Sequence, residues 1–148
     1  MSGTHATCGK NIIVRLGKYP YLRGNEAQFI RNDGDLPDID AERLYYLVRC
    51  ERAQNDLEGM LDSLARLKAR YPDSQWRLNA LIWAGNQYLT KNDRASYVPL
   101  YRACYEAFPG DPSSAYCHWK VAWTAYLEKR PEAGQLLEEH LRLFPQSD

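Results

Sequence analysis

From Asp40 onward, apolar residues recur every three to four positions, the period of an amphipathic helix. The pattern restarts at regular breaks. "AERLYYLVRCERAQ" predicts a first helix near 40–53, and "DLEGMLDSLARLKARY" a second near 56–71. In the second, Leu57, Met60, Leu61, Leu64, Leu67 and Tyr71 form one stripe, with Glu, Asp, Arg and Lys between them. "QWRLNALIWAGNQYLT" predicts a third helix near 75–90, for which Ser74 can serve as N-cap. A fourth begins at Asp93 or Ser96 and ends at Phe108. A fifth runs from about Pro112 to Glu128 and a sixth from about Pro131 to Phe144. Pro at either start suits a first helical turn, where its missing N–H costs nothing. Pro99 leaves two options for the fourth helix. It is harmless in a first turn that starts at Ser96, but it breaks a hydrogen bond and kinks a helix that starts at Asp93. Nothing after residue 40 alternates with period two, and "NIIVRLG" near 11–17 is the only strand-like stretch.

The breaks themselves repeat. Tyr71-Pro72-Asp73-Ser74, Phe108-Pro109-Gly110-Asp111 and Phe144-Pro145-Gln146-Ser147 lie 37 and 36 residues apart, and each closes a pair of helices. An aromatic-Pro break at a period in the mid-thirties marks a helix-turn-helix solenoid. The middle unit fits the tetratricopeptide pattern best, with Gly85 and Pro109 in its small-residue and terminal-Pro places and Tyr88 and Tyr101 on its aromatic positions. The small residue that the pattern wants early in the second helix is Met60 and Tyr97 in the first two units, and Ala133 only in the third. The expected fold is therefore all-α. It is a superhelix of about three degenerate tetratricopeptide-like hairpins over 39–148, preceded by an irregular segment, 1–38.

Tyr116, Trp119, Trp123 and Tyr126 fall on one face of the fifth helix. In a stacked array the first helix of each hairpin touches its own partner and both neighbouring units. This face, with Trp83 on the third helix, is thus expected to lie in the core. Were it open to solvent, Tyr45, Trp83, Tyr88, Trp119, Trp123 and Tyr126 would be the ligand-contact residues. The last helix carries Leu136, Leu137, Leu141, Leu143 and Phe144, more apolar surface than one partner helix covers. A further hairpin or domain, or a second copy in a homodimer, is expected against it.

Composition narrows the classes. The formal net charge is zero, which argues against a general nucleic-acid binder. No apolar run approaches membrane-spanning length, and the first twenty residues lack the apolar core of a secretion signal. Four cysteines stand at 8, 50, 104 and 117 without any C-x-x-C spacing, and are expected to be reduced thiols, the last three buried as small hydrophobes. "GTHATCGK" is not a phosphate loop: five residues separate its glycines, Asn11 replaces the Mg²⁺-binding hydroxyl, and no strand precedes it. His118, His140 and Cys104 lack metal-ligand spacing, so neither metal nor cofactor is expected. Asp and Glu fall on polar faces or in breaks, apart from Glu106, which points away from the apolar face of its helix. No acid/base pair or partnered nucleophile emerges.

The blocks "ALIWAGNQYLTKND" (80–93), "YCHWKVAW" (116–123) and "LLEEHLRLFPQS" (136–147) resemble the superhelical, tetratricopeptide-like region of bacterial soluble lytic transglycosylases. The resemblance covers about 40–148. It implies a curved scaffold joined to a separate lysozyme-like domain that cleaves peptidoglycan. That domain's catalytic Glu is typically followed by Ser, and no Glu-Ser occurs here, so no catalytic residue carries over. The resemblance implies a non-catalytic scaffold that positions cell-wall substrate or a catalytic domain, in the periplasm or cell envelope. The alternative is an independent adaptor that binds a protein or peptide in its groove, and the lack of a secretion signal in the sequence keeps a cytoplasmic location open.

Overall fold

The computed structural model describes residues 37–147, and these are all-helical, with no strand among them. Six helices follow in order: α1 (Pro37–Ala53), α2 (Leu57–Arg70), α3 (Gln75–Thr90), α4 (Arg94–Ala107), α5 (Ser113–Leu127) and α6 (Ala133–Leu143). The strand-like stretch near 11–17, Cys8 and the glycine-rich start lie outside the described residues, as does most of the expected irregular segment.

The helices form three hairpins with a shared local geometry. Each first helix ends where one residue turns left-handed: Asn55 at φ 57°, Asn92 at φ 53° and Lys129 at φ 53°. The next amide then reaches back five residues, from Asp56 to the Glu51 carbonyl, from Asp93 to Tyr88 and from Arg130 to Ala125. This back-bond satisfies a carbonyl left open by the helix end. Asp56 and Asp93 also cap the helices they precede, accepting from the amides of Gly59 and Ser96. Each second helix ends alike. Tyr71, Phe108 and Phe144 have φ −137°, −129° and −130° with ψ 59°, 61° and 60°, and their amides bond to the carbonyls of Leu67, Cys104 and His140. The aromatic-Pro breaks are thus a structural repeat as well as a sequence one.

Ser74 caps α3 as expected, its Oγ accepting from the Trp76 amide. α4 begins at Arg94 under the Asp93 cap, so Pro99 lies inside the helix. Its ring removes the N–H that would bond to the carbonyl of Ala95. Both residues are exposed, which leaves that carbonyl to water.

The chain divides into two compact units, the first closing at Ala80 and the second beginning at Leu81, within α3. In the first, Leu44 and Val48 of α1 bury with Met60, Leu64 and Leu67 of α2, while Leu61 stays exposed. Asp40, also buried, joins the two helices: it accepts from Arg43 and from the Tyr71 hydroxyl at 2.7 Å, and pairs with Arg70 at 3.1 Å. In the second unit Tyr97, Tyr101 and Cys104 of α4 bury with Cys117, Val121, Ala122 and Ala125 of α5. Met60, Tyr97 and Ala133 are all buried, so the position that departs from the repeat pattern still points inward.

The expectation of reduced thiols is wrong. Cys104 and Cys117 form a disulfide between α4 and α5, with Cα atoms 6.3 Å apart, and Cys50 is also disulfide-bonded. Linear spacing hid the bond between Cys104 and Cys117 because the pairing depends on which faces α4 and α5 turn toward each other.

Candidate functional site on the fifth helix

α5 belongs to the second unit. Its inward face carries Ser114, Cys117, His118, Val121, Ala122, Thr124 and Ala125. The helix is set against α4 by the disulfide and by a buried hydrogen bond between the Tyr97 and Thr124 hydroxyls at 2.9 Å. Its start is held by Asp111, which accepts from the Ser113 amide, and by the Ser114 hydroxyl, which donates to the Phe108 carbonyl.

With that face inward, the aromatic face turns out. Tyr116, Trp119, Trp123 and Tyr126 are 38, 40, 41 and 53% exposed, which corrects the expectation that they lie in the core. Small residues and the disulfide fill the contact with α4, and the large rings are left for the other side. They form a row. Trp119 stacks on Trp123 with ring centroids 5.5 Å apart, and Trp123 on Tyr126 at 5.2 Å. Tyr116 stands at the start of the row, its hydroxyl donating to Asn86 Oδ1 at 2.9 Å and its ring meeting Tyr101 edge-on. The Lys120 ammonium lies 5.1 Å from the Tyr116 ring centre, a cation–π contact. The indole N–H groups of Trp119 and Trp123 and the Tyr126 hydroxyl make no hydrogen bond with the described residues, so three donors stand free beside exposed ring surface.

The other expected contact residues lie elsewhere. Tyr45, in the first unit, is buried against Tyr46 and Trp76 with Arg49 over its ring. Tyr88 is buried on α3, and burial raises its phenol above the usual value, with Asp93 adding to the effect. Trp83 is half-buried on α3. The row on α5 therefore contains three of the six, with Tyr116 added.

Beside the row lies a feature that residue spacing does not reveal. His118 of α5 and His140 of α6 are buried with their Nδ1 atoms 3.2 Å apart. His118 Nε2 faces the Glu139 carboxylate at 3.5 Å, beyond good hydrogen-bond geometry. His140 Nε2 lies 3.2 Å from the Ser147 hydroxyl. Burial lowers the pKa of His118 against the opposing pull of Glu139, and burial and then His118 lower that of His140. The Trp119 ring touches His140, at 5.5 Å between centroids.

Residues 44–74 match the tetratricopeptide repeat family. The match covers most of α1, all of α2 and the break that follows. The second and third hairpins repeat its turn and the geometry of its closing break, so the tetratricopeptide-like description extends through α6. No curated protein and no solved structure matches the chain. Such repeats commonly act as helical scaffolds or protein-binding adaptors. Among the described residues no three metal-ligating side chains converge, and no helix is long and apolar enough to cross a membrane.

Proposed function

We propose that the chain is a non-catalytic tetratricopeptide-like scaffold of the bacterial cell envelope, akin to the superhelical region of soluble lytic transglycosylases. Its α5 row holds the glycan of the cell wall for a catalytic domain. The observation that carries this reading is the exposed row Trp119–Trp123–Tyr126 with its unused donors. Aromatic rings offer apolar surface to the C–H faces and edges of sugar rings, and an indole N–H or phenol O–H beside each ring offers a bond to a sugar hydroxyl. The disulfide supports the location, because such bonds persist in oxidising compartments.

The test is co-sedimentation of the purified chain with insoluble peptidoglycan. Binding should occur, and Trp119→Ala with Trp123→Ala should weaken it at least about tenfold, the loss of roughly 1.4 kcal/mol. No anhydro-muropeptides should be released. Binding that ignores both substitutions would overturn the role of the row, and turnover abolished by one Glu substitution would overturn the scaffold reading. The adaptor reading draws on the family match and on the enrichment of Trp and Tyr at protein interfaces. Loss of a defined protein partner on the same substitutions, with no affinity for peptidoglycan, would establish it instead.

A further inference from the structure

α6 is lightly anchored. Ala133 and His140 are its only buried residues, whereas Leu141 and Leu143 are exposed. α5 is tied to α4 by a covalent bond, but its polar contacts with α6 are those of His118, with the His140 imidazole at 3.2 Å and the Glu139 carboxylate at 3.5 Å. Two bare Nδ1 atoms at 3.2 Å would repel through their lone pairs, and two protonated ones through their hydrogens. The contact therefore needs a single hydrogen between the rings.

The surrounding groups fix where protons can go. In the neutral pair, His140 Nδ1–H donates to His118 Nδ1. The remaining hydrogen of His118 then sits on Nε2, toward Glu139, and the Ser147 hydroxyl turns its one hydrogen from the Phe144 carbonyl to His140 Nε2. One added proton is tolerated. His118 then carries both hydrogens, its charge facing Glu139, and donates to His140 Nδ1. His140 Nε2–H donates to Ser147, whose hydroxyl donates to the Phe144 carbonyl. A second added proton puts N–H against N–H and breaks the contact. The charged and titratable groups around the pair are Glu139 and Arg142 on α6 and Arg102, Tyr105 and Glu106 on α4. Of these, only the Glu139 carboxylate lies within ion-pair distance of the pair, 3.5 Å from His118.

We propose that the His118–His140 pair is an acid-operated latch: neutral or singly protonated it holds α6 on α5, and doubly protonated it releases α6 and, through Trp119, disturbs the aromatic row. The second consequence rests on the reading of that row as the ligand face. The first does not. The two rings titrate as a unit. Both values are depressed in the fold, so the latch is fully effective above the free imidazole value of about 6.5, survives the first proton, and is lost as pH falls through the lower of the two steps, in which the second proton binds.

The test is residue-resolved hydrogen exchange on the full chain from pH 8 to pH 4, corrected for intrinsic pH dependence, with the imidazole C–H resonances followed in parallel. The expected result is a loss of protection in α6 that tracks the second proton taken up by the pair, while α4 and α5, joined by their disulfide, and α1 and α2, which contain no histidine, stay protected. His140→Phe keeps an apolar ring and should make α6 insensitive to acid. His140→Gln, which does not titrate, is the check should that variant fold poorly. Protection in α6 that stays level over the range, or that falls together with all other helices, would overturn the latch. Peptidoglycan co-sedimentation at pH 7 and pH 5 separates the two ideas. Absence of binding at both values overturns the proposed ligand without touching the latch. Binding equal at both, with α6 released, overturns the coupling to the row.

Discussion

At the scale of single residues, two positions show chemistry that a hydropathy pattern does not convey. Gly85 faces the ring of Tyr101, and a methyl group at its Cα would lie 2.5 Å from Tyr101 Cε1. Tyr101 is fully buried, and its hydroxyl donates to Asn86, so the ring has little freedom to retreat. Gly85→Ala should cost about 1–3 kcal/mol, the usual cost of overpacking, although alanine is the better helix former. Urea unfolding gives the value. The repeat pattern named this glycine, but only the structure shows what occupies the space beside it. Glu51 is the second case. Its Oε1 accepts from Ser63, its Oε2 is buried without a partner, and burial raises its pKa. A carboxyl whose folded value is raised contributes most stability below its unfolded value, about 4.3, and loses that contribution as pH rises through the folded value. Glu51→Gln, which keeps the acceptor for Ser63, should therefore be more stable than the parent near pH 7. The difference should shrink toward pH 4, as thermal melts at the two values would show.

At the scale of elements, the three hairpins use one turn with three different residues. Asn55 and Asn92 suit a left-handed conformation, whereas Lys129 does not. Lys129→Gly should stabilise the protein by about 1 kcal/mol, raising the urea midpoint without altering the slope. The same substitution at Asn92 should gain less. The disulfide is the other element-level contact. It closes a short loop between α4 and α5, for which the chain-entropy argument gives ~3 kcal/mol. Replacing both Cys104 and Cys117 with Ala, which leaves the disulfide of Cys50 intact, should lower the denaturant midpoint accordingly, and an unchanged midpoint would show that the other contacts between the two helices suffice to hold them. Helix boundaries were legible in the sequence because caps and breaks are local: Asp56, Ser74 and Asp93 each bond within three residues. The disulfide was not legible, since it depends on the facing of two helices.

At the scale of the whole molecule, the unexpected outcome is the orientation of α5. Were the row a core element, Trp123→Ala would cost roughly 3–5 kcal/mol. Exposed as it is, the substitution should cost less than about 1 kcal/mol, while Tyr101→Ala, which empties a fully buried site, should cost several. Parallel melting curves would discriminate, and a severe loss on Trp123→Ala would restore the core assignment. Periodicity, breaks and capping residues, all interactions within a few positions of the chain, determined the helices, their pairing and the repeat. The face of α5 that turns inward was decided by tertiary packing. Two faces of that helix are apolar, and residues on α4 and α6 far away in sequence selected between them: Cys104 and Tyr97 draw the small-residue face inward, and His140 draws His118. The candidate ligand face is the apolar face that those contacts left over.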